Sequence, residues 1–429
     1  MSRINQATQS ARFQFRPYVG LRIRAALPGG SGWSTNYGGG PVTNDPVTAK
    51  TRMGGGHAVY GRASRKASQG KMGRALTLFV SGRTFALLMA GATLGPLALI
   101  LVHRATEGLP QTCAGTVIQL LTLIAAPHVL ATACLLFDRR DLAGITRPGL
   151  TIYAIPAALM AGNYVILLAA PLWAVTVYML VYVHFSMWHF GRQNLGVMAF
   201  AARIGKGRAM DAFERRTVMA GVVAGVLGGY HMFAPTLMLD PAGWPLDLAR
   251  FDPIFSRLWY GGAAIFAALI PATAIHILRN RTRYDGLSLA LYLGCVFFFM
   301  PAYVSDHPLF LLVSWSTAHG VQYLIFVAYH AAGKAHGRLG LAALAPLAVF
   351  IACLVGGVAL WRLTGSVRDT GNADMIRILV ATTTALTLAH YWIDAFLWKF
   401  GSAERRAWLV RTYQFLALQS QAAKAAAGD

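Results

Sequence analysis

The chain has 429 residues, 56% of them hydrophobic and only 13% charged. That balance excludes ordinary water-soluble domains, a disordered chain and a coiled coil, because so much apolar surface cannot be hidden inside one globule in water. The four cysteines, Cys113, Cys134, Cys295 and Cys353, all fall in apolar runs with no CxxC pair, which excludes a disulfide scaffold and a thiolate zinc site.

In chain order, residues 1–75 come first, with twelve Lys and Arg against one acid, Asp45, so that half of the net charge of +22 sits there. This stretch is rich in Gly and Ser and cannot bury enough apolar area to offset chain entropy. It reads as a disordered basic tail, either a targeting segment or the result of a start placed upstream of Met72. No recognition fold accompanies the charge, so specific nucleic-acid binding is not expected. Residues 76–403 read as a transmembrane helical domain and 404–429 as a cytoplasmic C-terminal tail.

Windows of about 20 apolar residues predict ten spans, near 84–102, 113–137, 149–169, 171–191, 217–236, 258–278, 286–304, 308–330, 339–361 and 376–398. The expected fold class is therefore all-α, a polytopic membrane bundle of about ten transmembrane helices. The loops after even-numbered spans hold 14 Lys and Arg and the other five loops hold 6. Cytoplasmic loops are the basic ones, so both termini are expected inside and even-numbered spans run inward. Gly221, Gly225 and Gly229 in the fifth span, and Gly91 and Gly95 in the first, form small-residue stripes suited to close helix packing.

Ionisable groups inside a membrane are costly and mark functional sites by default. Here they concentrate on even-numbered spans: His128 on the second, His184 and His189 on the fourth, His319 and His330 on the eighth, His390 and Asp394 on the tenth. Apart from His319, near the middle, they share the expected cytoplasmic half. His390 and Asp394 are four apart and share a helical face, as do His189 and Gln193; His319 and Gln322 are three apart and still neighbours. His184 and His189 are five apart, about 140° around an ideal helix, so both cannot point at one ion. Neutral imidazoles plus a carboxylate are ligands for iron, zinc or copper. The expected metal ligands are His128, His184, His319, His390 and Asp394, with His189 and Gln193 at the reacting position. Trp188, Trp315, Tyr323, Tyr391 and Trp392, with Gln322, would wall a channel for an apolar substrate. His330 is already leaving the membrane, and His276 belongs to the interface beside Arg279.

The segments HFSMWHFGRQNLG, WSTAHGVQYLIF and HYWIDAFLWKF resemble signatures of a family of bacterial polytopic membrane proteins with no assigned activity. The likeness runs loosely over spans two to ten. More distantly, histidines on several helices near one membrane face are similar to those of bacterial carotene-cleaving dioxygenases and of membrane desaturases and hydroxylases. That resemblance implies His-bound non-haem iron. The HxxHH boxes of the desaturase group are absent, which favours one ion over a di-iron centre.

The expected function is a metal-dependent oxidoreductase of the bacterial inner membrane, its cofactor an iron ion, with zinc or copper as substitutes, and its substrate a lipid or isoprenoid. A proton-coupled transporter, with the histidines as a relay, and a b-type haem protein are the alternatives. The partners expected are the lipid bilayer and an apolar small molecule.

Overall fold

The computed structural model describes residues 82–105, 127–136, 144–206, 209–238, 251–305, 308–335, 351–359, 372–398 and 403–413, with three isolated residues besides. The tail expected over 1–75 and most of the second and ninth spans lie outside the described residues. All described residues belong to one compact unit, Ala67–Asp429, and no strand occurs among them.

Helix α1 is Gly82–Ala105, with Pro96 inside it. A helical stretch at 127–131 leads through a turn at Thr132 into the short α2, Ala133–Leu136. A π-helical turn, Gly149–Ala154, then runs into α3, Ile155–Ala169, which has Pro156 in its first turn, where proline's missing N–H costs nothing. Pro171 separates α3 from α4, Leu172–Lys206. Helix α5 is Ala212–Met238, α6 is Asp252–Arg279, and α7 is Gly286–Val296, capped by the Asp285 side chain. Helix α8, Pro308–Ala335, is followed by a helical stretch at 351–359, by α9, Ala373–Leu397, capped by Asn372, and by α10, Ala403–Thr412.

Among the described residues, four helical segments are long and apolar enough to cross a membrane: Gly82–Leu101, Gly149–Ala169, Asp252–Arg279 and Leu311–Lys334. That is fewer than the ten expected from sequence. Helices α4 and α9 have the length but carry the polar residues of the site, which lower their hydropathy. The seventh expected span, 286–304, is not one helix. Its α7 has 11 residues, breaks at Phe297 and continues as a 3₁₀ turn, Met300–Tyr303. Val165, Trp173, Val181 and Leu278 stand exposed at 65%, 71%, 61% and 73%. An outer surface studded with large apolar side chains on several helices suits contact with hydrocarbon and not with water.

Inside, α5 packs most extensively on α6, α9 on α3, α4 on α5 and α8 on α1. The glycine stripe of α5 meets the broken seventh segment. A methyl group on Gly221 would strike the Val296 carbonyl oxygen, and one on Gly225 the Phe299 ring. These glycines therefore let α5 approach backbone to backbone, as expected. Gly91 and Gly95 do not, for nothing lies within 4 Å of where their side chains would be.

The C-terminal stretch expected to be a tail begins with a docked helix. Arg405 is buried, donates from Nη2 to the Leu397 carbonyl at 2.6 Å, and lies over the Trp408 ring at 4.1 Å. Tyr413 donates to the Phe326 carbonyl of α8 at 2.9 Å. Amphipathicity explains it: Trp408, Leu409 and Tyr413 are buried while Glu404, Arg406 and Arg411 stay outside. Cys295 and Cys353 are free thiols.

Candidate metal centre

Four elements that are distant in sequence bring their polar residues together around His390. Helix α9 supplies His390 and Asp394, one turn apart on its inner face, with Nε2 and Oδ2 separated by 3.6 Å. Helix α8 supplies His319, whose Nε2 lies 3.4 Å from His390 Nε2. Helix α4 supplies His189, with Nε2 3.7 Å from Asp394 Oδ2. The stretch at 127–131 supplies His128, whose ring centroid is 4.9 Å from those of both His319 and His390. One ligand atom from each of His128, His319 and His390 falls within 4.8 Å of the others, and the same holds for His189, His390 and Asp394.

These separations can be weighed against coordination geometry. Two donors each about 2.0–2.1 Å from one ion stand about 3.0 Å apart at a right angle and about 3.4 Å apart at the tetrahedral angle. The observed 3.4, 3.6 and 3.7 Å lie at or just above that range. His128, His319, His390 and Asp394 are all at most 4% exposed. His189 Nε2, His319 Nδ1 and Asp394 Oδ1 are buried atoms without a hydrogen-bond partner. Leaving such atoms unsatisfied costs about 1–3 kcal/mol each, more for a charged group. A pocket that gathers several of them at ligand spacing could hold a cation between them.

The surroundings hold these side chains rigidly. Tyr391 stacks on His189 with centroids 4.1 Å apart, and Phe190 lies 4.7 Å from His319. His390 Nδ1 is 2.6 Å from Thr132 Oγ1, and Thr132 donates to the Tyr323 hydroxyl at 2.9 Å. Tyr323 and the Trp398 indole lie beside the Asp394 carboxylate. Trp392, next on α9, donates to the Thr151 carbonyl at 2.8 Å and so ties α9 to the π-helical turn.

The other sequence-expected residues separate into two groups. His184 is not in the cluster. Its Nδ1 contacts the Leu180 carbonyl at 2.6 Å and its ring stacks on Tyr230 of α5. The reason is the five-residue step on α4, which lets only one of the two histidines face inward; His189, expected at the reacting position, stands in the cluster where His184 was expected. Gln193 and Gln322 do not face the ring cluster either. Gln193 Nε2 donates to the His319 carbonyl and to Gln322 Oε1, both at 2.9 Å, and Gln322 Nε2 donates to Thr93 Oγ1 at 2.8 Å and to Asn194 Oδ1 at 2.9 Å. The two amides thus knit α1, α4 and α8 together behind His319.

Of the expected channel walls, Tyr391 covers one side of the cluster. Trp188 is 40% exposed on the outer surface of α4, and Trp315 is a core residue whose indole donates to the Phe298 carbonyl at 3.1 Å. His330 packs against Trp408 and Tyr413, away from the cluster. His276 belongs to a separate polar group, 3.5 Å from Asp211 Oδ2 and 3.1 Å from the Tyr284 hydroxyl. Asp211 and Glu214 there bond each other's backbone N–H at 2.8 and 2.9 Å, a reciprocal cap that starts α5, and Arg283 neutralises Asp211 at 2.8 Å. That group explains itself as helix capping.

Sequence reasoning missed Thr132 altogether. Its signal was present, four residues after His128 and one turn along the same face, but a threonine in an apolar helix ordinarily bonds its own backbone. Comparison of the chain with protein-family models, with curated proteins and with solved structures gives no match.

Proposed function

We propose that this chain is a polytopic membrane protein that binds a metal ion within the cluster of His128, His189, His319, His390 and Asp394, and uses it in an oxidative reaction on a lipid or isoprenoid. The observation that carries the reading is the meeting of four imidazoles and one carboxylate, from four elements, in two overlapping groups at ligand spacing that share His390. Four histidines and an aspartate are borderline nitrogen and hard oxygen donors, a set that suits iron, with zinc or copper as competitors. A three-donor group of this kind leaves positions on the ion open for a reactant. Depth supplies the substrate class: a site enclosed by helices with apolar outer faces is reached most easily by apolar molecules, and dioxygen itself partitions into hydrocarbon.

The full reading includes ten spans with both termini in the cytoplasm and residence in a bacterial inner membrane. It is supported by the loop charges and by the polar composition that keeps α4 and α9 below the hydropathy of ordinary spans. A b-haem gains nothing from the geometry, since His189, His319 and His390 crowd to centroid distances of 4.9, 5.6 and 5.7 Å and leave no slot for a macrocycle between them.

The deciding experiment is elemental analysis of the detergent-purified protein, alone and with His390→Ala or Asp394→Ala. One equivalent of iron, zinc or copper in the parent, lost in both variants, is the expected result. An active preparation with no stoichiometric metal would overturn the reading. Uptake into proteoliposomes that follows a pH gradient and survives chelator would make the cluster a proton relay instead.

A further inference from the structure

Thr132 sits at a junction of the candidate centre that the ligand set alone does not explain. Its hydroxyl is buried, 2.6 Å from His390 Nδ1 and 2.9 Å from the Tyr323 hydroxyl, to which it donates. A threonine hydroxyl has one hydrogen. With that hydrogen on Tyr323, the contact to His390 must be made the other way, from Nδ1–H to Oγ1. A neutral imidazole protonated at Nδ1 carries its lone pair on Nε2, and Nε2 is the atom that faces His319 Nε2 at 3.4 Å and Asp394 Oδ2 at 3.6 Å. Reversing the chain would put the hydrogen on Nε2, where it blocks coordination.

We propose that Thr132, held by Tyr323, is the positioning residue that selects the metal-binding tautomer of His390. This rests on the metal reading above. The chain runs His390 Nδ1–H to Thr132, Thr132 O–H to Tyr323, and Tyr323 O–H toward the Asp394 carboxylate beside it. It therefore starts on one member of the ligand set, and its far end stands beside another, Asp394. Partners of this kind make an imidazole a better donor, and their loss typically weakens metal affinity 10- to 100-fold. Sequence spacing adds one point: Thr132 lies one helical turn from His128, so the same short stretch delivers a ligand and the orienter of a second ligand.

The test uses full-length, metal-stripped protein in detergent, titrated with Zn(II) and with Co(II), whose absorption spectrum reports ligand geometry. Thr132→Val keeps the shape and removes the acceptor; affinity should fall 10- to 100-fold with an altered Co(II) spectrum, and Thr132→Ser should restore both. Tyr323→Phe should shift the same readouts, because the freed Thr132 hydrogen then turns to Nδ1 and drives the unfavourable tautomer. It also carries the test if Thr132→Val does not fold. Parent protein that binds metal, with Thr132→Val and Tyr323→Phe at parental affinity and spectrum, would sink the positioning role and spare the metal centre. Parent protein that binds neither ion would sink the metal centre and the positioning role together.

Discussion

His184 and His189 show how much one helical step decides. Five residues turn a helix through about 500°, so one imidazole faces the bundle centre and the other faces α5. Replacing His189 with Ala should cost at least tenfold in metal affinity, whereas His184→Ala should leave metal content unchanged, both read by titration of the purified variants. Asp394→Asn, which keeps the shape but removes the buried carboxylate's negative charge from the proposed metal site, should also release the ion, with the loss measured by elemental analysis. The pairing of His390 with Asp394 was legible in the sequence because a four-residue spacing on a helix admits one geometry. Thr132 was not, since nothing in a linear chain says that it meets residues 191 and 258 positions away. Trp188 and Trp315 differ in helical phase: Trp315, four residues before His319, shares its inward face, whereas Trp188, next to His189, is about 100° further round and lies outside.

At the level of helices, the glycines of α5 and α1 carry the same sequence signature and do different things. Gly221 is pressed against a backbone carbonyl that cannot move aside, while Gly91 stands beside open space. Gly221→Ala should therefore destabilise the fold by about 1–3 kcal/mol through overpacking. Gly91→Ala should be neutral or stabilising, because alanine is the better helix former. Thermal unfolding of the two variants in the same detergent checks the contrast. Helix existence was readable from apolar runs nearly everywhere that the structure describes. Length was not: α4 extends to 35 residues, about 52 Å at 1.5 Å per residue, well past the span expected for it. The seventh span divides at Phe297 because the short α7 and the turn after it must make room for the approach of α5.

For the molecule as a whole, the costly polar groups and the apolar outer surface are two sides of one arrangement. Imidazoles are tolerated at membrane depth when neighbouring helices enclose them, and α3, α4, α8 and α9 do so while turning Val165, Val181 and their like outward. A chelator strong enough to strip the ion should lower the unfolding temperature of the parent and leave that of His390→Ala unmoved, since a ligand stabilises only the state that binds it. A reporter fused at the C-terminus should be active on the cytoplasmic side. The all-helical character was legible from the long apolar runs, whereas the expected number of spans exceeds the four long, apolar helices found among the described residues. The grouping of the site residues was half legible, through their shared depth, and the rest depended on which helices touch.

The buried guanidinium of Arg405 reaches the last carbonyls of α9, barely a turn beyond Asp394. Trimming the chain ahead of position 405, a routine choice when an end looks dispensable, would unfasten that helix terminus and loosen Trp398 beside the carboxylate. The apparent appendage is in this sense the outermost clamp of the interior, and purification handles belong after Tyr413, not in place of what precedes it.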